Sequence, residues 1–210
     1  MDANTARIAA WLAAAYFVGG IPFGFLIGKM RGVDVRKVGS GNIGATNVFR
    51  TVGKGWGLFA LLLDMLKGFM PTYACRLWGG GPSWLPLAVG VACVAGHMLT
   101  PYMGFRGGKG VATGAGMLFA LVPALTGVTF LVFAAVFAAS NYISLGSCTA
   151  AAFIGVAIWI PCEIFSAGWR DLPQCVLVTL IAAFIIWKHR SNIARLAAGT
   201  ENKIYLFRRR

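Results

Sequence analysis

Acidic side chains are scarce in this chain. Six Asp and Glu stand against 19 Lys and Arg, for a formal net charge of +13 at pH 7. With so few carboxylates, and none clustered, the sequence offers neither a catalytic carboxylate pair nor a carboxylate cage for magnesium, which usually binds through one or two carboxylates and substrate oxygens. Histidine is scarcer still, with only His97 and His189. The five cysteines, Cys75, Cys93, Cys148, Cys162 and Cys175, form no C-x-x-C pair and have no histidine at metal spacing, so neither a structural zinc nor an obligatory disulfide is expected. In or beside apolar segments they act as small hydrophobes, and Cys162 with Cys175, flanking one loop, is the one pair to check for a bridge.

Long polar stretches are also lacking. The chain of 210 residues is 58% hydrophobic with a mean hydropathy of +0.74, where soluble globular proteins have about 45–50% apolar residues. The class read from this is all-α: a polytopic integral membrane protein, a single membrane-embedded domain over 1–210. Seven spans fit, at about 6 to 29, 55 to 77, 84 to 102, 111 to 123, 125 to 140, 144 to 161 and 174 to 189. Two are short against the roughly 20 residues of a full crossing. The stretch 111–140, broken at Pro123, therefore has an alternative reading as a bent or re-entrant pair, leaving five spans. The first span lacks a basic leader and a small-residue cleavage site and is read as a retained helix. Its Gly20, Gly24, Gly28 and Gly32, at i+4 spacing, give it a small face for a close neighbour.

The excess of cations suggests nucleic acid until their positions are considered. Lys29, Arg31, Arg36, Lys37, Arg50, Lys54, Arg106, Lys109, Lys188, Arg190, Arg195, Lys203 and Arg208 to Arg210 all fall on one side of the seven-span threading, and only Arg7, Arg76 and Arg170 on the other. This is the positive-inside pattern. It excludes a nucleic-acid partner, places the N-terminus outside and the C-terminus in the cytoplasm, and assigns Arg208 to Arg210 to anionic lipid headgroups.

Polarity is concentrated in three clusters on that inner side. The first, Gly39-Ser-Gly-Asn-Ile-Gly-Ala-Thr-Asn47, combines glycines that open the backbone to a ligand with the donors Ser40, Asn42, Thr46 and Asn47, between the fixed charges of Arg36 and Arg50. Ile43 is expected to be buried within it. The second, Phe105-Arg-Gly-Gly-Lys-Gly110, resembles a P-loop but has three residues, not four, between Gly104 and Gly108-Lys109, and Gly110 where magnesium-binding Ser or Thr belongs. Phosphate cradling by Gly107, Gly108, Lys109 and Gly110 carries over; nucleotide and metal binding do not. The helix opening at Val111 aims its N-terminal dipole at the same anion.

The third cluster places His189, Asn192 and Arg195 at i, i+3 and i+6 of a continuing helix, with Arg190 and Glu201 apart from that stripe. Asp64 and Lys67, inside an apolar span, pair at i and i+3, because isolated charges there cost about 2.5–3.5 kcal/mol each. The pair is expected to order the site and not to catalyse. His97 reads as a buried, hydrogen-bonded histidine.

No Gly-x-Ser-x-Gly and no Cys-His arrangement is present. His97 and His189 are followed five residues on by Tyr102 and Ala194, so the His-x-x-x-x-Asp signature of one acyl-transferring class is absent. Anion nests without a nucleophile suit an already activated donor. An organophosphate transporter is the competing class, but its sites would lie near the midplane of repeated, broken helices, and no repeat is evident.

With these residues in hand, the chain closely resembles the bacterial acyl-phosphate-dependent glycerol-3-phosphate acyltransferases of the PlsY type. The resemblance rests on Asp34-Val-Arg36 leading into the first cluster, on Leu63-Asp-Met-Leu-Lys-Gly68, on Gly96-His97 and Phe105 to Thr113, and on His189-Arg-Ser-Asn-Ile-x-Arg-Leu with Gly199-Thr-Glu201. It implies transfer of a fatty acyl group from acyl phosphate to the 1-hydroxyl of glycerol 3-phosphate, giving lysophosphatidic acid and phosphate, without a covalent acyl-enzyme, a cofactor or a metal. It implies that Ser40, Arg50, Lys109, His189 and Asn192 hold glycerol 3-phosphate, with Ser40, Asn42, Lys109, His189 and Asn192 in the catalytic set. Gly107 to Gly110 would take the acyl phosphate, and Arg36, Thr46, Asn47, Asp64, Lys67, Arg195 and Glu201 would support. Membrane lipid is the surrounding partner and a monomer is expected to suffice. The base is either His189 or the donor's own phosphate.

Overall fold

The computed structural model describes residues 2–160 and 172–205. The expected Cys162 partner of Cys175, the interfacial Trp169 and Arg170, and the tail Arg208 to Arg210 lie outside the described residues. Among the described residues every regular element is helical. They fall into two compact units, Met1–Leu121 and Val122–Arg210.

The first unit holds α1 (Ala3–Gly20), α2 (Phe23–Met30), the short α3 (Ala45–Thr51), α4 (Lys54–Trp78), α5 (Leu85–Met98) and α6 (Val111–Leu121). The expected first span is interrupted: α1 and α2 form one 28-residue apolar stretch with a break at Ile21-Pro22. Proline supplies no N–H, and other elements cap the carbonyls at the break. Thr100 Oγ1 donates to Gly20 O at 2.6 Å and Lys67 Nζ donates to Ile21 O at 2.7 Å. An ammonium at this carbonyl end also suits the helix dipole. The break changes the expected glycine face as well. Gly24 and Gly28 sit on α2, whereas Gly32 lies beyond it with φ +75°.

Two helix pairs approach through glycine. A Cβ on Gly19 of α1 would enter the Cys93 backbone of α5, and one on Gly96 would enter the Tyr16 carbonyl of α1. A Cβ on Gly68 of α4 would likewise meet the Thr113 carbonyl of α6, and one on Gly116 the Met65 carbonyl of α4. Such contacts bring backbones together where lipid supplies no hydrophobic drive between helices. At 11 residues, α6 is about 16 Å long, well short of the roughly 30 Å hydrocarbon core. Arg76 Nη1, from the last turn of α4, donates to Ala120 O at 2.9 Å. Arg76, one of the three cations on the sparse side of the charge pattern, therefore caps the short helix's carbonyl end.

The second unit holds α7 (Pro123–Ser140), α8 (Ile143–Ala157), α9 (Leu172–Lys188) and α10 (Arg190–Ala197). Pro123 opens α7 at a position where its missing N–H costs nothing. Thr179 of α9 donates to Gly155 O of α8 at 3.0 Å and accepts from Trp159 Nε1 at 2.8 Å. Cys175 Sγ donates to Ile158 O at 3.6 Å. α9 and α10 meet at 53°, so the last span does not run straight on into the third cluster; it turns at His189. Among the described residues four stretches, Ala3–Met30, Lys54–Trp78, Leu85–Met103 and Pro123–Ser140, are long and apolar enough to cross a membrane, the bent α9–α10 pair makes a fifth if taken as one span, and α6 and α8 are shorter apolar helices.

Candidate active site

The first cluster is folded around Asn47, which is 1% exposed. Its Oδ1 accepts from Ser40 N at 2.9 Å, and its Nδ2 donates to Val35 O at 2.8 Å and Val38 O at 3.1 Å. One side chain thus satisfies three backbone groups of a loop that has no strand or helix to do so. Gly39 and Gly41 have φ of +61° and +69°, and this left-handed backbone turns the loop back over Asn47. Asn42 Oδ1 accepts from Gly44 N at 2.8 Å. Ile43 is buried with Ile27, Val35, Val48 and Ala60, and its carbonyl rests where a Cβ on Gly24 would lie. The polar loop is therefore pinned by an apolar plug, with Ser40 left exposed and Asn42, Thr46 and Arg50 half-buried.

Arg36, expected as a flanking charge, is paired. Its Nε and Nη2 meet Asp34 Oδ1 and Oδ2 at 2.9 and 2.8 Å, and its guanidinium lies 4.7 Å from the Phe25 ring centroid. The hydrogen bonds from Arg36 hold the Asp34 carboxyl well below its usual range, at about 2.

The second cluster returns onto the end of α5. Gly107 N donates to Met98 O and Gly108 N to His97 O, each at 3.1 Å. These two amides shape the loop, so N–H groups for an anion come from the half-buried Lys109 onward, into the first turn of α6. Gly110 has φ +83° and faces the Met98 side chain. Behind the loop, Asp64 and Lys67 are 2% and 4% exposed, with Lys67 Nζ 2.6 Å from Asp64 Oδ1. His97 is 6% exposed, and its Nδ1 lies 3.8 Å from the same carboxylate oxygen. The connections carrying both loops thus meet the α1–α2 region: the first through Ile43 against Gly24, the second through Thr100, which donates to Gly20 O.

In the second unit, His189 Nδ1 lies 2.8 Å from Ile185 O. A carbonyl can only accept, so Nδ1 carries the proton of the neutral ring and Nε2 is its acceptor atom. Glu201 does not stand apart as expected. Its Oε1 accepts from Asn192 Nδ2 at 2.6 Å and from Ser144 Oγ at 2.9 Å, and its Oε2 accepts from Arg195 Nε at 2.6 Å. Burial opposes ionisation of this carboxyl, but the donors Asn192, Arg195 and Ser144 together outweigh it and hold it below its ordinary range. Sequence reasoning missed this centre because Glu201 returns only after α10 ends and Gly199 turns the chain.

Among the described residues no group of three or more His, Cys, Asp or Glu could hold a metal ion. These features define a polytopic helical membrane protein whose basic, glycine-rich loops are hydrogen-bonded onto helix ends. The family model "Glycerol-3-phosphate acyltransferase" matches residues 9–199, and the chain belongs to that family of membrane acyltransferases. It is 43% identical over 191 residues to the glycerol-3-phosphate acyltransferase of Aquifex aeolicus, covering 90% of this chain and 95% of that one. It is 49% identical over 192 residues to that of Geobacter metallireducens, with 91% and 95% covered. A crystal structure of PlsY (YgiH), an integral membrane glycerol 3-phosphate acyltransferase in its glycerol 3-phosphate form, matches with a TM-score of 0.84 at 40% identity, over 94% of this chain and 96% of that one. The lysophosphatidic acid form matches at 0.81 and 39%, over 94% and 95%.

Proposed function

We propose that this protein transfers a fatty acyl group from acyl phosphate directly to the 1-hydroxyl of glycerol 3-phosphate. The observation that carries the reading is the likeness, over nearly the whole chain, to PlsY structures in glycerol 3-phosphate and lysophosphatidic acid forms, a substrate and product that differ by one acyl group. The hydroxyl oxygen attacks the acyl carbon and forms the ester C–O bond. The bond from that carbon to the phosphate oxygen breaks, and inorganic phosphate leaves. The hydroxyl proton passes to the departing phosphate, and His189 Nε2 orients the acceptor. Because a mixed carboxylic-phosphoric anhydride is already activated, alignment and charge stabilisation suffice, with positioning worth about 7–11 kcal/mol and one oxyanion donor about 2.7–4 kcal/mol.

In this reading Ser40, Arg50, Lys109, His189 and Asn192 hold glycerol 3-phosphate, and Asn42, whose Oδ1 accepts from Gly44 N, joins Ser40, Lys109, His189 and Asn192 in the catalytic set. The segment Gly107 to Gly110 receives the acyl phosphate, Gly107 and Gly108 shaping the loop through their amides' bonds to Met98 O and His97 O, and Lys109 neutralising charge between the two substrates. Asn47, Asp64, Lys67, Arg195 and Glu201 supply the scaffold described above, Arg36 is held by Asp34, and Thr46 lies at the start of α3. Seven crossings of a bacterial cytoplasmic membrane, counting the short α6 and α8 as spans, put the N-terminus outside and the three polar clusters and the C-terminus in the cytoplasm, in a single membrane-embedded domain acting as a monomer. Purified protein given labelled glycerol 3-phosphate and acyl phosphate should produce a labelled lipid, whereas acyl-coenzyme A should not replace the donor. Product from acyl-coenzyme A alone would overturn the donor assignment.

A further inference from the structure

His97 occupies a position that the acyl-transfer reading leaves without a task. It ends α5, is 6% exposed, and has structure against both edges of its ring. On one edge Nδ1 lies 3.8 Å from Asp64 Oδ1, a carboxylate fixed by Lys67, which in turn is fixed by the Ile21 carbonyl. On the other edge the ring abuts Gly108 so closely that a Cβ there would overlap Nε2 and Cε1. The backbone of His97 also accepts the Gly108 amide at 3.1 Å, and a Cβ on Gly107 would run into the His97 carbonyl. The imidazole is therefore a wedge between an intramembrane ion pair and the peptide immediately before Lys109.

We propose that His97 is a positioning residue that transmits the location of the Asp64–Lys67 pair to the Gly108–Lys109 backbone, and so sets Lys109 for glycerol 3-phosphate. The inference rests on the reading of Lys109 as a substrate-binding cation. Its buried ring does not itself meet substrate. The effect of His97 is geometric: its ring is packed directly against the buried Gly108 and faces the Asp64 carboxylate at 3.8 Å, and well-packed interiors transmit strain. This also gives a reason for glycine at 108 that does not invoke direct contact with the ligand.

The test is a double-mutant cycle on the full-length chain, read as equilibrium binding of labelled glycerol 3-phosphate. His97→Asn keeps an amide near the Nδ1 edge and removes the ring edge against Gly108. It should weaken binding at least fivefold in the otherwise native protein and less than twofold in the Lys109→Ala background. Should His97→Asn fail to fold, Gly108→Ala, which presses on the ring without removing it, enters the same cycle with the same expectation. Where both fold, His97→Asn should partly restore binding to Gly108→Ala by making room for its methyl group. An undiminished fivefold loss in the Lys109→Ala background leaves the Lys109 assignment standing and overturns the positioning role. Native affinity in Lys109→Ala itself removes the Lys109 assignment, and this proposal with it.

Discussion

Asn192 gives its side-chain amide to Glu201 at 2.6 Å, across a turn in which the chain leaves α10 and doubles back. With Ser144 and Arg195 on the same carboxylate, that bond fixes which face of the Asn192 amide remains for other partners. The nearby pairing of Ile204 N with Asn141 O at 2.8 Å fastens the segment after the turn to the start of α8. Residues 201–204 are therefore part of the folded unit, and the placement of Asn192 depends on them.

Replacing Glu201 with Gln should lower the thermal unfolding temperature and impair acyl transfer together. A hydrogen bond to a charged group is worth about 1.5–3 kcal/mol, and the half-exposed Arg195 brings the combined effect to the lower end. The pH dependence has a definite sign. Because the folded carboxyl titrates below its ordinary value of 4.5, its contribution is present above about pH 4.5 and is lost as pH falls through the lowered value. Thermal scans from about pH 6 to pH 3 should show the difference between Glu201→Gln and the native protein hold down to about pH 4.5 and shrink below it. A constant difference across that range would mean that the carboxylate charge does not hold the turn.

Asn47→Asp is nearly isosteric but should be severe. An aspartate still accepts from Ser40 N, yet it brings a second oxygen against Val35 O and Val38 O, where the amide now donates. An unsatisfied buried partner costs about 1–3 kcal/mol. The variant should lose at least tenfold in affinity for glycerol 3-phosphate through a displaced Ser40, and Asn47→Ala should do the same with less loss of stability. Calorimetric titration of both variants checks the order.

Gly68→Ala or Gly116→Ala should destabilise the α4–α6 pair, since either methyl meets partner backbone, and overpacking costs typically about 1–3 kcal/mol. Gly55→Ala, where nothing lies within 4 Å of the new carbon, is the control and should be neutral or slightly stabilising. Thermal unfolding in one detergent ranks the three variants.

Much of this architecture is legible in the sequence, for identifiable reasons. Apolar run length finds the helices, and helical spacing alone pairs Asp64 with Lys67. Ile43 reads as a plug because an apolar side chain among glycines has nowhere else to go. What escapes are partners brought together across the chain: Lys67 with Ile21, 46 residues away, Arg76 with Ala120, 44 away, and Glu201 with Ser144, 57 away. None has a periodicity to reveal it. The break at Pro22 is visible as a proline, but its tolerance inside an apolar stretch depends on caps from Lys67 and Thr100. The bend at His189 hides in the same way, since the spacing of His189, Asn192 and Arg195 also fits a straight helix.

Turnover should need no divalent metal. The Asp64 carboxylate is taken by Lys67 and that of Glu201 by three donors, while lysine, arginine and backbone N–H groups are available to neutralise phosphate. Full activity in excess chelator is the expected outcome. Activity lost to chelator and restored by magnesium would show that one of these carboxylates had been misassigned.

Isotope exchange separates direct transfer between two bound phosphorylated substrates from a route through an acylated protein. Purified protein is incubated with unlabelled acyl phosphate and labelled inorganic phosphate, first without glycerol 3-phosphate and then with it. Direct transfer predicts no label in acyl phosphate while the acceptor is absent, because the acyl–phosphate bond breaks only as the hydroxyl attacks. Label entering acyl phosphate without acceptor, together with an acyl-sized increase in the protein's intact mass, would contradict it by revealing a covalent acyl-enzyme.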